Sequence, residues 1–165
     1  MSETYVECLV QRESGMLVRF GKILLTVMTV GFGIFGFLFF WPAMIVAVIT
    51  GIGAYFVSMQ ADLEYEYLYL DKELSVDKVM AKSKRKKVGT YDIGKMEILA
   101  PIKSYQLDSY KNRQCKVFDY SDGKADQPDT RYVMFYNGTD KIILSPSPEL
   151  IKAIKNVAPR KVFTD

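Results

Sequence analysis

Residues Ile23–Ala61 read ILLTVMTVGFGIFGFLFFWPAMIVAVITGIGAYFVSMQA and contain no Asp, Glu, Lys or Arg. An α-helix needs about 20 apolar residues to cross a membrane, so this stretch is long enough for two crossings. Trp41 and Pro42 lie near its middle, and proline cannot continue a helix from within it. The stretch therefore predicts a transmembrane hairpin, with one helix from about Phe20 to Phe40 and a second from about Pro42 to Met59.

The alternative interpretation is a buried helical pair in a soluble protein. A helix in a soluble core normally shows a polar face at helical period. Neither Ile23–Val30 nor Ile34–Phe40 has such a face. The stretch is also rich in glycine, which is more frequent in membrane helices than in soluble ones. These features favour the membrane hairpin. No ionisable group lies inside the helices, so the usual marker of a proton or ion pathway is absent.

Small residues predict where the two helices pack. Ala43, Ala47 and Gly51 recur at every fourth position of the second helix. Such a face lets a neighbouring helix approach closely. Thr29 and Gly33 are the expected facing surface on the first helix. The same small residues would serve equally in a homodimer, and the sequence does not separate the two arrangements.

Basic residues flank the apolar stretch on both sides, whereas the turn at Trp41 and Pro42 carries no charge. They are Arg12, Arg19 and Lys22 before the first helix and Lys82, Lys84, Arg85, Lys86 and Lys87 after the second. Cytoplasmic flanks of membrane helices are enriched in Lys and Arg. The pattern predicts an integral protein of the cell membrane, with both termini and the soluble part in the cytoplasm.

Composition restricts the chemistry. The chain has 165 residues, a formal net charge of +3 and no histidine, which excludes any mechanism that needs an imidazole. Two distant cysteines, Cys8 and Cys115, make no zinc site without histidine. We therefore expect no catalytic residues, no metal and no cofactor. One basic run in a chain of small net charge is not the broad basic surface of a nucleic-acid-binding protein.

The hairpin divides the chain into three predicted parts. Residues 1–19 form an N-terminal cytoplasmic segment, residues 20–60 the transmembrane hairpin, and residues 62–165 one cytoplasmic domain. In the first part, Tyr5–Val10 fits a short strand or an interfacial helix, and a poorly ordered terminus is the alternative.

From Asp62 onwards, alternating apolar and polar residues indicate strands. The predicted strands are Leu63–Leu70, Leu74–Met80, Val88–Tyr91, Met96–Leu99, Gln114–Tyr120, Arg131–Tyr136 and Thr139–Leu144. Ile102–Arg113 is polar and is expected to be a loop or irregular edge. Tyr65, Tyr67 and Tyr69 share one face of the first strand, where packing in a β core is favoured over a binding surface.

Two local signals complete the domain. Asn137-Gly138 between two apolar runs predicts a hairpin with a two-residue type I′ turn. Ser147 is placed to cap a C-terminal helix that begins at Pro148. In this helix Leu150, Ile151, Ile154 and Val157 form an apolar stripe, which we expect to pack over the open end of the strands.

The order of seven short strands and one C-terminal helix resembles a pleckstrin-homology-like (PH-like) barrel. Two helices, two strands, a basic run and then Tyr91–Met96 (YDIGKM) resemble bacterial membrane-anchored PH-like domains, which carry an I-P-L-S-K-I turn at that place. The resemblance implies an α+β membrane protein: a transmembrane helical hairpin followed by a small PH-like barrel or sandwich of about seven strands, capped by a helix.

Other segments are similar to an uncharacterised family of small two-span membrane proteins from clostridia-type Firmicutes. They are Tyr65–Asp71 (YEYLYLD), Lys82–Lys86 (KSKRK), Leu107–Asn112 (LDSYKN) and Ala158–Phe163 (APRKVF). This resemblance covers nearly the whole chain and implies no known activity.

The sequence supports two hypotheses of function. The first is a membrane-anchored, non-catalytic PH-like binding or adaptor module. In it, Lys82–Lys87 contacts anionic lipid headgroups or a partner protein. The first strand carries the chain about 26 Å from the membrane at ~3.3 Å per residue, and the second strand brings it back. The basic run would otherwise serve only to fix topology. The second hypothesis is a structural subunit of a larger membrane assembly, without a ligand of its own.

Overall fold

Two long apolar helices form most of one compact unit, which comprises residues 13–63 and 80–84 and is called the helical unit below. The computed structural model describes residues 4–164; residues 1–3 and 165, at the ends of the predicted N-terminal segment and cytoplasmic domain, lie outside the described residues. Helix α1 spans Met16–Leu38 and helix α2 spans Ala43–Ala61. The break at Trp41 and Pro42 is confirmed, since both residues lie in the turn between the helices.

The helices pack through small residues, with one difference from the expected set. Ala43 and Ala47 are buried. A Cβ atom placed on Gly51 would lie 3.3 Å from Cγ2 of Thr29, so these two residues face each other. The hydroxyl oxygens of Thr29 and Thr50 are 3.1 Å apart.

Gly33 does not take the place we expected for it on α1. Apart from its chain neighbours and the nearby backbone of α1, no heavy atom lies within 4 Å of a Cβ atom placed on Gly33. A Cβ atom on Gly36 would lie 2.8 Å from the backbone nitrogen of Met44. At 3.6 residues per turn, a residue seven positions after Thr29 lies closer to its line along the helix than one four positions after it. Gly36 is therefore the glycine that permits the close approach.

The second compact unit, the β unit, comprises residues 4–12, 64–79 and 85–164. Its first sheet has the order β1-β2-β3-β4, with β1 at Val6–Gln11, β2 at Leu63–Leu70, β3 at Glu73–Met80 and β4 at Lys84–Asp92. Strand β1 runs antiparallel to β2, with Val6 opposite Tyr69 and Gln11 opposite Glu64. The open question about Tyr5–Val10 is thereby answered: it forms a strand, and the β unit includes a part of the predicted N-terminal segment.

The second sheet has the order β5-β7-β8-β6. Its strands are β5 at Met96–Pro101, β6 at Lys116–Asp119, β7 at Tyr132–Tyr136 and β8 at Asp140–Leu144. Strand β6 pairs with β8 in parallel, and the other pairings of this sheet are antiparallel. Asn137 and Gly138 both have positive φ, and the Thr139 N–H donates to the Tyr136 carbonyl at 3.3 Å. The type I′ turn is confirmed.

Three segments differ from their predicted form. The described residues contain eight strands in two sheets rather than about seven, because β1 joins the first sheet. Strand β4 begins at Lys84 instead of Val88, so most of the basic run lies in a strand and not in a loop. A 3₁₀ turn at Tyr105–Tyr110 occupies the segment expected to be irregular, and it buries Leu107.

Tyrosines connect the two sheets in the core. Tyr65, Tyr67 and Tyr69 are buried, which confirms core packing for this row. The Tyr67 hydroxyl donates to the Tyr120 carbonyl and accepts from the Ser145 N–H at 3.2 Å. Burial raises the pKa of Tyr67, so the hydroxyl stays neutral and keeps its role as a donor. One side chain of β2 thus bonds to the segments that follow β6 and β8.

Helix α3, at Pro148–Val157, closes the β unit. The Ser147 side chain accepts from the Leu150 N–H at 3.2 Å, so the predicted cap is confirmed. The helix contacts β1, and it buries Leu150, Ile151, Ala153 and Ile154. After the helix, Leu99 of β5 bonds to Lys161 and Phe163 through its backbone. The C-terminal residues therefore contact an edge strand of each sheet.

Val157 was predicted to belong to the buried stripe, but 41% of it is exposed. It is the last residue of α3, where the chain turns away at Ala158, and Ala153 takes its place among the buried residues. The two ends of the predicted stripe therefore differ in what they contribute to stability.

We predict that Ile154→Asp unfolds the β unit, whereas Val157→Asp has a much smaller effect. Burying an isoleucine side chain is worth about 1.5–3 kcal/mol, and an unpaired buried carboxylate adds a further cost. Ile154 is fully buried and offers the carboxylate no water. Thermal melting of the full chain in detergent, followed by circular dichroism, measures both variants. Equal melting temperatures for the two variants would contradict this packing.

Candidate functional site

The predicted site is the basic segment, Lys82–Lys87. Lys82 lies in the turn between β3 and β4, where Ala81 and Lys82 both have positive φ. The remaining cations, Lys84 to Lys87, begin β4, which is an edge strand of the first sheet. All five basic residues are exposed. Successive side chains of a strand point to opposite faces, so Lys84 and Lys86 share one face, and Arg85 and Lys87 share the other.

The turn that carries Lys82 and Lys84 belongs to the helical unit. The Ala81 N–H donates to the Asp62 carbonyl at 2.8 Å, directly after the end of α2. The Asp62 carboxylate pairs with Lys22 of α1 at 3.0 Å. The Lys84 ammonium lies 6.0 Å from the centre of the Tyr55 ring on α2. The turn thus lies at the end of the helical unit where α1 begins and α2 ends, next to Asp62.

Arg85 has a structural partner. Its Nη2 lies 2.6 Å from Oε2 of Glu66, a residue of β2 that is 4% exposed. The contact is an ion pair only, because this buried Oε2 has no hydrogen-bond partner among the described residues. Burial, followed by a hydrogen bond with Glu7, raises the pKa of Glu66, while Arg85 lowers it. The same hydrogen bond lowers the pKa of Glu7. Arg85 therefore compensates a buried carboxyl group that neighbours a second one.

Lys87 lines an acidic groove of about 500 Å³, on the face of the first sheet that also carries Arg85. Its lining residues include Asp71, Glu73 and Asp77. Asp77 is only 7% exposed, and its Oδ1 has no hydrogen-bond partner among the described residues. The local charge around Lys87 is therefore mixed. The five predicted residues divide into Lys82, Lys84 and Lys86, which pair with no described carboxylate, and Arg85 and Lys87, which lie among acids.

The buried acidic residues were not predicted from the sequence, although the alternation in β2 contains a signal for Glu66. In β2, Glu64 and Glu66 alternate with Tyr65 and Tyr67. Once the tyrosines are placed in the core, the glutamates must share the opposite face, and a long basic side chain on another strand of that sheet becomes a natural partner.

We predict that Arg85→Gln destabilises the β unit by about 1–2 kcal/mol at neutral pH, the cost of leaving a buried carboxylate without its counter-charge. This estimate is at the lower end because 59% of the Arg85 side chain is exposed and screened by solvent. Lys86→Gln, the matched control, should change stability by less than about 0.5 kcal/mol.

The loss should also depend on pH, with a defined sign. Arg85 stabilises only the ionised form of Glu66, so its contribution is present above the pKa of Glu66 and is lost as the pH falls through it. Because that pKa is raised, the loss begins above the ordinary glutamate value of about 4.3. Thermal melts of both variants at neutral and mildly acid pH test this. A loss that is equal at both pH values, or equal in the two variants, would exclude the pair.

A comparison with known protein families agrees with the fold. The family model of the bacterial PH-like domain, DUF6106, matches residues 2–164. No curated protein and no solved structure matches the chain. The match includes both apolar helices as well as both sheets, and it confirms the resemblance to PH-like domains. An origin in clostridia-type Firmicutes stays a prediction. The chain belongs to the bacterial PH-like domain family DUF6106.

Proposed function

We propose that this protein is a membrane-anchored, non-catalytic binding module. In this proposal, α1 and α2 cross the cell membrane as a hairpin, and the PH-like β unit lies in the cytoplasm. The basic segment, Lys82–Lys87, contacts anionic headgroups at the cytoplasmic surface. Membership of a PH-like family supports a binding or adaptor role.

The exposed apolar surface of the helical unit carries the proposal. Among the described residues, Gly36 is the only buried residue of α1, and Ala43, Ala47 and Ala61 are the buried residues of α2. Large side chains such as Ile34, Phe37 and Ile49 are more than half exposed. Soluble monomers rarely expose contiguous apolar patches of more than a few hundred Å². Lipid is the environment that such a surface fits.

The lengths and ends of the helices also fit a bilayer. At 1.5 Å per residue, α1 is about 35 Å long and α2 about 28 Å, against a hydrocarbon core of about 30 Å. Trp41, at the turn between the helices, is 80% exposed. Tyr55 lies near the other end of α2, close to Lys84. Tyrosine and tryptophan are typical of both membrane interfaces.

Lys82, Lys84 and Lys86 are the proposed headgroup contacts. Near an anionic surface each basic residue is worth about 1 kcal/mol, and the effect falls off within a Debye length. Arg85 is excluded from this set because Glu66 already holds it. Lysine on an exposed edge strand also prevents pairing with other chains, so edge protection is the simpler explanation that an experiment must exclude.

One observation favours the second candidate, a structural subunit of a membrane assembly. Among the described residues, apart from chain neighbours and the nearby backbone of α1, no heavy atom lies within 4 Å of a Cβ atom added to Gly31 or Gly33. Small residues on the outer surface of a membrane helix permit close approach of another helix. A second copy or another membrane protein would pack there without disturbing the hairpin.

We predict the topology from single-cysteine variants in a chain with Cys8→Ser and Cys115→Ser. Trp41→Cys places a thiol in the turn between the helices, and Ala125→Cys places one in an exposed loop of the β unit. In intact cells, an impermeant maleimide should label the first variant alone. After permeabilisation it should label both. Labelling of Ala125→Cys in intact cells would contradict a cytoplasmic β unit.

We predict that the environment of the basic segment depends on lipid charge. The full chain with Ser83→Cys, in the same cysteine-free background, carries an environment-sensitive dye in nanodiscs of phosphatidylcholine with or without phosphatidylglycerol. The emission should shift to shorter wavelength with the anionic lipid, and added salt should reverse the shift. The same dye at Ala125→Cys serves as the control.

Combined Lys82→Gln, Lys84→Gln and Lys86→Gln should abolish the shift while leaving the Arg85–Glu66 pair intact. A shift that ignores lipid charge, or that survives these three changes, would leave edge protection or protein binding as the role of the segment.

A further inference from the structure

A second concave site of the β unit lies at the second sheet. It is a cavity of about 210 Å³ between the 3₁₀ turn at Tyr105–Tyr110 and the strands of the second sheet. The apolar part of its lining includes Leu107, Val133 and Phe135, which are buried members of one hydrophobic cluster. Among the residues that the structure describes, none that lines it is acidic.

The floor of the cavity is apolar and is formed by Leu107, Tyr110, Val133 and Phe135. The rings of Tyr110 and Phe135 stack with their centres 4.7 Å apart at an angle of 26°. Leu107, from the 3₁₀ turn, and Val133, from β7, pack in the same cluster. An engineered apolar cavity of about 150 Å³ is large enough to bind benzene. At about 210 Å³, the cavity is therefore large enough for one aromatic ring or an aliphatic group of similar size.

Three basic residues line the cavity, and they differ in whether a carboxylate pairs with them. Arg113 pairs with Glu97 at 2.7 Å and lies 5.0 Å from the centre of the Tyr110 ring. Lys111 pairs with Asp108. Lys141, which is half-buried on β8, forms no ion pair with a described carboxylate. One positive charge of the lining is thus left without a partner, next to an apolar floor.

We propose that this cavity binds an apolar monocarboxylate, with its hydrophobic body against Phe135 and Val133 and its carboxylate at Lys141. A single uncompensated lysine fits a monoanion better than a phosphate of higher charge. Arg113, held in place by Glu97 and Tyr110, offers a second donor at the rim. This site is separate from the headgroup contact proposed above and does not depend on it.

Cys115 provides a direct readout, because it is a free, half-buried thiol in the lining. The full chain with Cys8→Ser, in nanodiscs, retains Cys115 as its single cysteine. Benzoate is the probe, with benzyl alcohol as the neutral analogue and benzylamine as the cationic one. The measurement is the rate at which iodoacetamide alkylates Cys115. Benzoate should slow this rate saturably, and the two analogues should not do so at the same concentrations.

Lys141→Met keeps most of the aliphatic stem and removes the charge, so it should raise the half-saturating benzoate concentration about tenfold or more, as expected for a lost charged hydrogen bond. Lys141→Arg should retain protection. Lys152→Gln, on the exposed face of α3, should leave it unchanged. If benzoate gives no saturable protection of Cys115 in the Cys8→Ser chain that keeps Lys141, the proposal is overturned, and the results with the other variants do not change this. Equal protection by benzyl alcohol, or unchanged protection in a folded Lys141→Met chain, would also overturn it.

Discussion

The antiparallel pairing of β1 with β2 is the constraint on which the rest of the structure depends. It places Gln11 opposite Glu64, so the chain that enters the helical hairpin and the chain that leaves it are held side by side. The hairpin is in effect an insertion in the connection between two paired strands. Its two ends must therefore lie together, and the Lys22–Asp62 pair at the start of α1 and the end of α2 meets this requirement. Arg12 extends the tie, because it donates to the Asp119 carbonyl at 2.9 Å beyond the end of β1.

Features that depend on local sequence were predictable. The hairpin follows from an unbroken apolar run with a proline in its middle. The buried tyrosines of β2 follow from strict alternation, and the turn at Asn137-Gly138 follows from the positive φ that type I′ turns require. In each case one short segment carries both the cause and the result. The same holds for the cap of α3 at Ser147.

Features that depend on distant partners were not predictable in the same way. Strand β1 has only six residues, and its partner lies more than fifty positions later, so its own pattern does not distinguish strand from helix. The parallel pairing of β6 with β8 has no local signal. The candidate site shows the same division. Its basic residues follow from their position after the apolar stretch, but Arg85 can be assigned to the buried Glu66 only when the strands are arranged in the sheet.

Extraction from isolated membranes tests most directly the proposed insertion of α1 and α2 in the membrane. Sodium carbonate at alkaline pH removes proteins that are bound by charge or by other proteins, whereas a spanning hairpin stays with the lipid until detergent dissolves it. The apolar surface of the helical unit predicts that the chain remains in the carbonate-washed pellet and enters the supernatant only with detergent. Release of the chain by carbonate alone would contradict the account.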